Sequence, residues 1–236
     1  MSHIDNNNLE IWFLKYIKYK NKYLQLKKLL EVQTGGKQSN KELFAEKEGV
    51  DYDKLIVTEE GEYSITKRKD GEELLKIIKS VVKSDLKEKI ITDLTGNVGG
   101  DTILFGLNFK EVRSIEYNKE NFDALENNVK VFGLNNITLY YGDSTKIYDW
   151  ETDILYLDPP WGGSDYKSKI DLDLYLGDVR VDEFVKEVLE RDNRPTYIFM
   201  KLPRNYNFKR LYDINKSIKI RINKYKIRGY IIILIK

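Results

Sequence analysis

Ile90-Ile91-Thr92-Asp93-Leu94-Thr95-Gly96-Asn97-Val98-Gly99-Gly100-Asp101-Thr102 runs from a β-branched segment into a glycine-rich turn, and a helix is read from about residue 101. Ile and Thr fit a pleated surface. Small residues let a backbone pass close to a ligand before a helix begins. No Gly-Lys-Ser/Thr follows, so the turn is not a phosphate-binding Walker loop, and it lacks a clean Gly-x-Gly-x-x-Gly pattern. Asp93, at the strand end beside the turn, suits the ammonium of an amino-acid cofactor. A simple tight turn between strand and helix accounts for the same residues.

Outward from this stretch the pattern alternates. Strands are read at 90–94, 112–116, 137–141, 153–157 and 196–200, with helices at 119–132 and 181–190 and a long loop after the fourth strand. Ile218, Ile220 and Ile222 alternate with Lys and Arg as in a half-exposed strand. Residues 230–235 are continuously apolar, as in a buried one. Alternating strands and helices imply a mostly parallel sheet with crossovers, and the last two strands are close enough to pair as an antiparallel hairpin. Upstream, Asp70 reads as an N-cap with Glu73 three residues on, opening a helix through Val82, and 41–63 reads as short and irregular.

In open α/β sheets ligands bind beyond the carboxyl ends of the strands. The second strand ends in Glu116, about twenty residues past the glycine turn, where an acid usually holds ribose hydroxyls; an ordinary surface Glu is the alternative. The third is followed by Gly142-Asp143-Ser144, whose carboxylate can accept from an adenine amine. Three acids at three successive strand ends point to an adenosine-type cofactor. The fourth strand ends in Asp158-Pro159-Pro160-Trp161-Gly162-Gly163. Two prolines stiffen the backbone and remove two N–H donors, which leaves carbonyls in place to accept from an amine. Trp161 offers a flat face for stacking a base; as a core aromatic it would only pack.

Composition narrows the chemistry. The 236 residues include no Cys and one His, His3, so disulfides, thiolate metal sites, His-ligated zinc and imidazole base catalysis are not expected, and no metal is. No apolar run reaches membrane-spanning length and no signal-peptide core is present, so a soluble intracellular protein is expected, in the cytoplasm or nucleus of the (host) cell, with no membrane partner. Net charge is +2, yet residues 201–236 carry eleven Lys or Arg against one acid, Asp213. That asymmetry suits a polyanion or a solvated outer face equally.

Together these motifs resemble class I methyltransferases that act on base amines. Pro-Pro-Trp-Gly-Gly-Ser-Asp-Tyr (159–166) is similar to the trimethylguanosine synthase family, which methylates N2 of the 7-methylguanosine RNA cap. Glu62-Tyr63-Ser64-Ile65-Thr66 resembles that family's aromatic-Ser-Val-Thr segment. Gly99-Gly100-Asp101-Thr102 resembles its Gly-Gly-Asn-Thr, and Leu202-Pro203-Arg204-Asn205 its Leu-Pro-Arg-Asn. The resemblance covers about residue 41 to the C-terminus. It departs at Asp158, where the family has Ser, and at Asn97, where the family has the first loop glycine.

The resemblance implies a class I (Rossmann-like) α/β fold, with a mostly parallel seven-stranded sheet, an antiparallel C-terminal hairpin and an N-terminal helical extension. It implies S-adenosylmethionine as cofactor, held by Thr66, Asp93, Gly96, Gly99, Thr102, Glu116, Asp143 and Asp158. It implies a 7-methylguanosine-capped RNA partner, with Asp158, Pro159 and Trp161 at the reacting amine and Ser64, Trp161, Arg204 and Asn205 on the cap. Lys201 and the basic C-terminal hairpin would extend the contact to downstream RNA. Two rivals are a methyltransferase for another amine (adenine N6 or an internal guanine) and a non-catalytic cap- or RNA-binding module. The expected organisation is an amphipathic helix and linker over 1–40, a small helical region over 41–85 and the methyltransferase domain over 86–236. The helix over 9–33, rich in Lys and Tyr, resembles N-terminal helices of large DNA virus proteins; docking on the body or self-association is its expected role, an anionic surface or a partner the alternative.

Overall fold

Strands satisfy their backbone groups by pairing with neighbouring strands, and seven do so here in one sheet, whose two edge strands are half-exposed. The computed structural model describes residues 39–236 apart from 219 and 228, of which 40–236 cluster as one unit. The expected helix at 9–33 lies outside the described residues. In chain order the elements are α1 (Asn40–Leu43), α2 (Glu59–Ser64), α3 (Arg68–Val82), β1 (Ile90–Asp93), α4 (Gly100–Asn108), β2 (Glu111–Glu116), α5 (Lys119–Val131), β3 (Ile137–Tyr141), α6 (Ser144–Ile147) and β4 (Ile154–Leu157). A small β5–β6 hairpin (Tyr175–Leu176, Val179–Arg180) follows, then α7 (Val181–Glu190), β7 (Tyr197–Pro203), α8 (Phe208–Ser217), β8 (Ile222–Ile227) and β9 (Tyr230–Ile235).

The sheet order is β3-β2-β1-β4-β7-β9-β8. The first five strands in that order are parallel, and β9 runs antiparallel between β7 and β8. This is the expected fold. The chain leaves β1 first toward β2 and β3 and later returns on its other side through β4, so the crevice opens where the ends of β1 and β4 diverge. Strand residues alternate between two cores. Leu155, Leu157, Ile198, Met200 and Ile233 pack with Phe184 and Val188 of α7. Ile154, Tyr156, Phe199 and Ile232 pack with Leu74 and Ile78 of α3 and Phe105 of α4.

A third core fixes the segment before α3. Leu43, Phe44, Leu55 and Ile65 pack with Val98, Ile103 and Leu125. Asn128 of α5, fully buried, accepts from the Ile56 N–H and donates to the Ile56 and Val98 carbonyls, each at 2.8 Å. Residues 55–66 are thereby tied to the glycine turn.

Several local expectations change. The 41–63 stretch is not irregular: it holds α1 and α2, the latter capped by Thr58, whose Oγ1 accepts from the Gly61 N–H at 2.9 Å. Both helices are too short to show a period. Asp70 is not an N-cap: α3 begins at Arg68, two residues earlier, and Asp70 lies buried in its first turn. The loop after β4 contains the β5–β6 hairpin. The alternating Ile218, Ile220 and Ile222 mark no strand of their own, because α8 runs to Ser217 and β8 starts only at Ile222. Leu211 and Ile214, three apart, anchor α8 in the core.

Candidate active site

Asp93 ends β1 fully buried. Its Oδ1 accepts from the Thr95 N–H at 3.1 Å and its Oδ2 from the Thr102 hydroxyl at 2.6 Å. Burial, reinforced by the nearby Asp101 carboxylate, pushes the Asp93 carboxyl up to about 7. The turn after it is closely packed. A Cβ on Gly96 would lie 2.4 Å from Ser114 Oγ and 2.9 Å from Leu125 Cδ2, and one on Gly100 2.7 Å from Ile65 Cγ1. Asn97 stands in the left-handed region (φ 48°) and Gly99 at φ 101°, so Asn97 adopts the backbone that the absent glycine would have supplied. Gly96→Ala is expected to cost about 1–3 kcal/mol by overpacking. In a thermal melt this reads as a fall of roughly 3–10 °C for a domain of this size; an unchanged melt would show slack in the turn.

Glu116 ends β2 and clamps the same turn. Its Oε2 accepts from the Asn97 N–H at 2.6 Å and its Oε1 from the Asn118 N–H at 2.7 Å. Burial raises its pKa against these two bonds. A carboxylate has about four acceptor positions, so the clamp leaves room for further donors. Asp143 caps α6, accepting from the Thr145 N–H at 3.0 Å and the Thr145 hydroxyl at 2.7 Å. Burial works against its charge, but the Thr145 and Lys146 hydrogen bonds outweigh it and bring its pKa below the usual value. Gly177, in the β5–β6 turn, packs against it; a Cβ there would sit 3.0 Å from Asp143 Oδ2.

At the end of β4, the Asp158 N–H donates to Thr95 Oγ1 at 2.8 Å, which joins the two strand-end loops across the crevice. The Asp158 carboxylate is ion-paired with Lys201. Burial lifts this carboxyl and Lys201 opposes the lift, leaving it at about 6. Thr66 Oγ1 donates to Asp101 Oδ2 at 2.6 Å and accepts from Lys201 Nζ at 2.7 Å. Tyr156 donates to the same Asp101 oxygen at 2.9 Å, and Asp101 Oδ1 is buried with no hydrogen-bond partner. Half-buried Trp161 meets Tyr166 (centroids 5.1 Å, 73°) and Tyr230 (5.9 Å, 66°) edge to face. Its N–H lies near enough to Asp158 to lower that carboxyl slightly, without a hydrogen bond of ordinary geometry.

Asp93, Gly96, Gly99, Thr102, Thr66 and Asp158 therefore converge on one crevice. Ser64 borders the turn: its Oγ accepts from Asn97 Nδ2 at 2.9 Å and donates to the Glu60 carbonyl at 2.7 Å. Arg204 is exposed in the turn after β7. Asn205 spends its amide donors inside the chain, on the Tyr166 and Lys169 carbonyls at 2.6 and 2.7 Å, and so pins the loop that carries Trp161. Lys201 departs most from expectation. It is 5% exposed and its ammonium points to Asp158 and Thr66, so it does not extend a surface toward RNA. Asp101, Tyr156 and Tyr230 also belong to this network. An ionisable residue inside the apolar run 197–203 was the signal available for Lys201.

A glycine cradle under a strand-end carboxylate, with a buried acceptor left unpartnered beside it, fits an amino-acid cofactor carrying an adenosine. A family model described as RNA cap guanine-N2 methyltransferase matches residues 88–235. The chain belongs to that family. The cofactor of that family, and the one this cradle fits, is S-adenosylmethionine. The trimethylguanosine synthase of Saccharomyces cerevisiae is 24% identical over 195 residues, 77% of this chain and 60% of its own length. That of Schizosaccharomyces pombe is 29% identical over 163 residues, 63% of each chain. An uncharacterized protein of Acanthamoeba polyphaga mimivirus is 35% identical over 155 residues, 64% of this chain and 59% of its own length. The chain thus spans about three fifths of the curated relatives it matches. Among solved structures, a 16S rRNA N2 methyltransferase from T. thermophilus shares the fold with a TM-score of 0.54 at 16% identity, over 71% of this chain and 42% of that one. A precorrin-6y methyltransferase from Geobacter metallireducens does so at 0.54 and 13%, over 78% and 94%. No helix among the described residues is long and apolar enough to cross a membrane.

Proposed function

We propose that this methyltransferase methylates the exocyclic N2 of 7-methylguanosine in an RNA 5′ cap, giving a di- or trimethylguanosine cap. The observation that carries the reading is Trp161, met edge to face by Tyr166 and Tyr230 and close to the Asp158 carboxylate. A purine amine needs both a flat face to fix its plane and an acceptor to fix its N–H bonds.

Bound S-adenosylmethionine supplies an electrophilic methyl group on a sulfonium. Asp93 holds the cofactor ammonium, Glu116 the ribose and Asp143 the adenine amine, with Thr66, Gly96, Gly99 and Thr102 shaping the cradle. Trp161 stacks on 7-methylguanine, whose positive charge adds a cation–π attraction of about 2 kcal/mol when desolvated. Asp158 and the Pro159 carbonyl accept from N2 and aim its lone pair. No strong base is needed, because the amine loses its proton after transfer; positioning supplies most of the acceleration, and well-oriented reactions gain about 7–11 kcal/mol in this way. Arg204, with a fork that matches phosphate geometry, and Ser64 hold the cap phosphates. Asn205 acts by pinning the Trp161 loop. Exposed Lys209, Arg221, Lys224 and Lys226 meet the RNA backbone, so binding weakens with salt.

Labelled cofactor with 7-methylguanosine-capped or unmethylated-cap RNA tests the reading. Transfer to the 7-methylated cap and a blank on the other is the expected result. Equal labelling of both, or of neither, rules out cap-specific N2 methylation.

A further inference from the structure

Lys201 sits in the middle of β7 between Met200 and Leu202, both fully buried. An ammonium in such a place is costly unless paired and hydrogen-bonded. Its pairing is specific: Nζ binds Asp158 Oδ2 and Thr66 Oγ1, and it lies 5.0 Å from the Tyr230 ring centroid and 5.8 Å from that of Trp161. A lysine has three donors; two are used on oxygens and the third is left to the ring faces.

We propose that Lys201 is a positioning residue for the acceptor amine, forming with Asp158 a neutral buried unit that keeps Asp158 ionised and leaves its Oδ1 to receive the substrate N–H. The proposal rests on the reading that Asp158 faces the reacting amine. Three observations argue for it. First, Lys201 takes Oδ2 and fixes the rotation of the carboxylate, which assigns Oδ1 to the substrate N–H, with the Trp161 N–H close by. Second, the surroundings are acidic. Asp93 at the end of β1, Asp101 of α4 and Asp70 of α3 all lie near the pair, with the hydroxyls of Tyr156 on β4 and Tyr230 on β9. Without Lys201, Asp158 would meet burial and like charges together and take up a proton near neutral pH, turning one of its two acceptor oxygens into a donor. Third, burial disfavours the charged form of Lys201, yet Asp158 and Asp101 hold its pKa above the ordinary lysine value. The ammonium is thus a permanent charge and not a proton shuttle. The Asp that stands where trimethylguanosine synthases carry a neutral Ser thereby has its compensating cation built into the neighbouring strand.

The experiment compares Asp158→Ser, Lys201→Met and the double variant, reading kcat against pH on 7-methylguanosine-capped RNA, with the Kd for S-adenosylhomocysteine measured alongside. Asp158→Ser strands the Lys201 ammonium and Lys201→Met leaves Asp158 protonated near neutral pH, so each is expected to lower kcat about 100-fold there. In Lys201→Met the acidic limb of the profile moves up from near pH 6 by one unit or more. The double variant, again neutral, is expected to recover to within about tenfold of wild type. If a single variant does not fold, the double variant decides alone. Activity of the double variant no better than the worse single one overturns the unit. So does an unmoved acidic limb in a folded Lys201→Met. A separate Asp158→Ala/Lys201→Met variant, neutral but with no acceptor at position 158, that turns over as fast as the Asp158→Ser/Lys201→Met variant would instead overturn the placement of residue 158 at the amine, which distinguishes failure of the underlying reading from failure of the Lys201 proposal.

Discussion

Trp161→Ala is expected to lower kcat/KM on a 7-methylguanosine cap by about 10²- to 10³-fold. Base stacking on an aromatic contributes about 1–3 kcal/mol, and the cation–π term adds up to about 2 kcal/mol; each 1.36 kcal/mol is tenfold. The ring also meets Tyr166 and Tyr230, so truncation loosens the loop that carries Asp158. Two readouts separate these contributions. The Kd for S-adenosylhomocysteine should stay within a few-fold, because Trp161 lies outside the glycine cradle. Trp161→Phe should keep activity within about tenfold, since a flat face remains. The preference for the 7-methylated cap over the unmethylated one should shrink in the Ala variant, because the cation–π part exists only for the charged ring. Activity of Trp161→Ala within about threefold of wild type would remove stacking from the mechanism.

The sequence shows strongly those features whose cause is local. Ile90 to Thr102 folds as strand, turn and helix because β-branched residues, glycines and an apolar helix face follow one another without conflict. The acids at 93, 116, 143 and 158 stand at strand ends because the crossover pattern itself places them there. What stays hidden depends on distant partners. Lys201 reads as one more cation in a basic C-terminal stretch, and nothing nearby announces that Thr66 and Asp158 converge on it from 135 and 43 residues away. The family resemblance puts Asn205 on the cap, yet two loop carbonyls claim its amide. Asp70 has the spacing of a cap, but α3 starts earlier and the carboxylate faces inward. A polar residue's type and spacing are written in the chain; whether its hydrogen bonds are already spent is decided by tertiary contacts.

Asp93→Asn is expected to weaken S-adenosylhomocysteine binding about 10- to 100-fold, because a hydrogen bond to a charged group contributes about 1.5–3 kcal/mol. The fold should tolerate it. The Asn oxygen can keep the Thr95 N–H, and the Thr102 hydroxyl, 2.8 Å from Ser114 Oγ, can turn its hydrogen there and accept from the new amide. The stronger test is pH. Burial, with help from Asp101, sets Asp93 at about 7 in the ligand-free protein against 3.8 for the exposed group. Between these values the folded protein binds more protons than the unfolded chain, so this group makes stability fall as pH rises through the window. The full effect is on the order of 4 kcal/mol. The ligand-free Asn variant should therefore melt higher than wild type at pH 8, with the difference gone near pH 4. Ligand binding reverses the sign. An ammonium against Asp93 favours the carboxylate, so below about pH 7 binding must release a proton, and wild-type affinity falls toward tenfold per pH unit. Calorimetry in buffers of differing ionisation enthalpy reads that proton directly, and the Asn variant should release none from this site. Equal proton release and equal pH dependence in both proteins would show that the ammonium does not sit on Asp93.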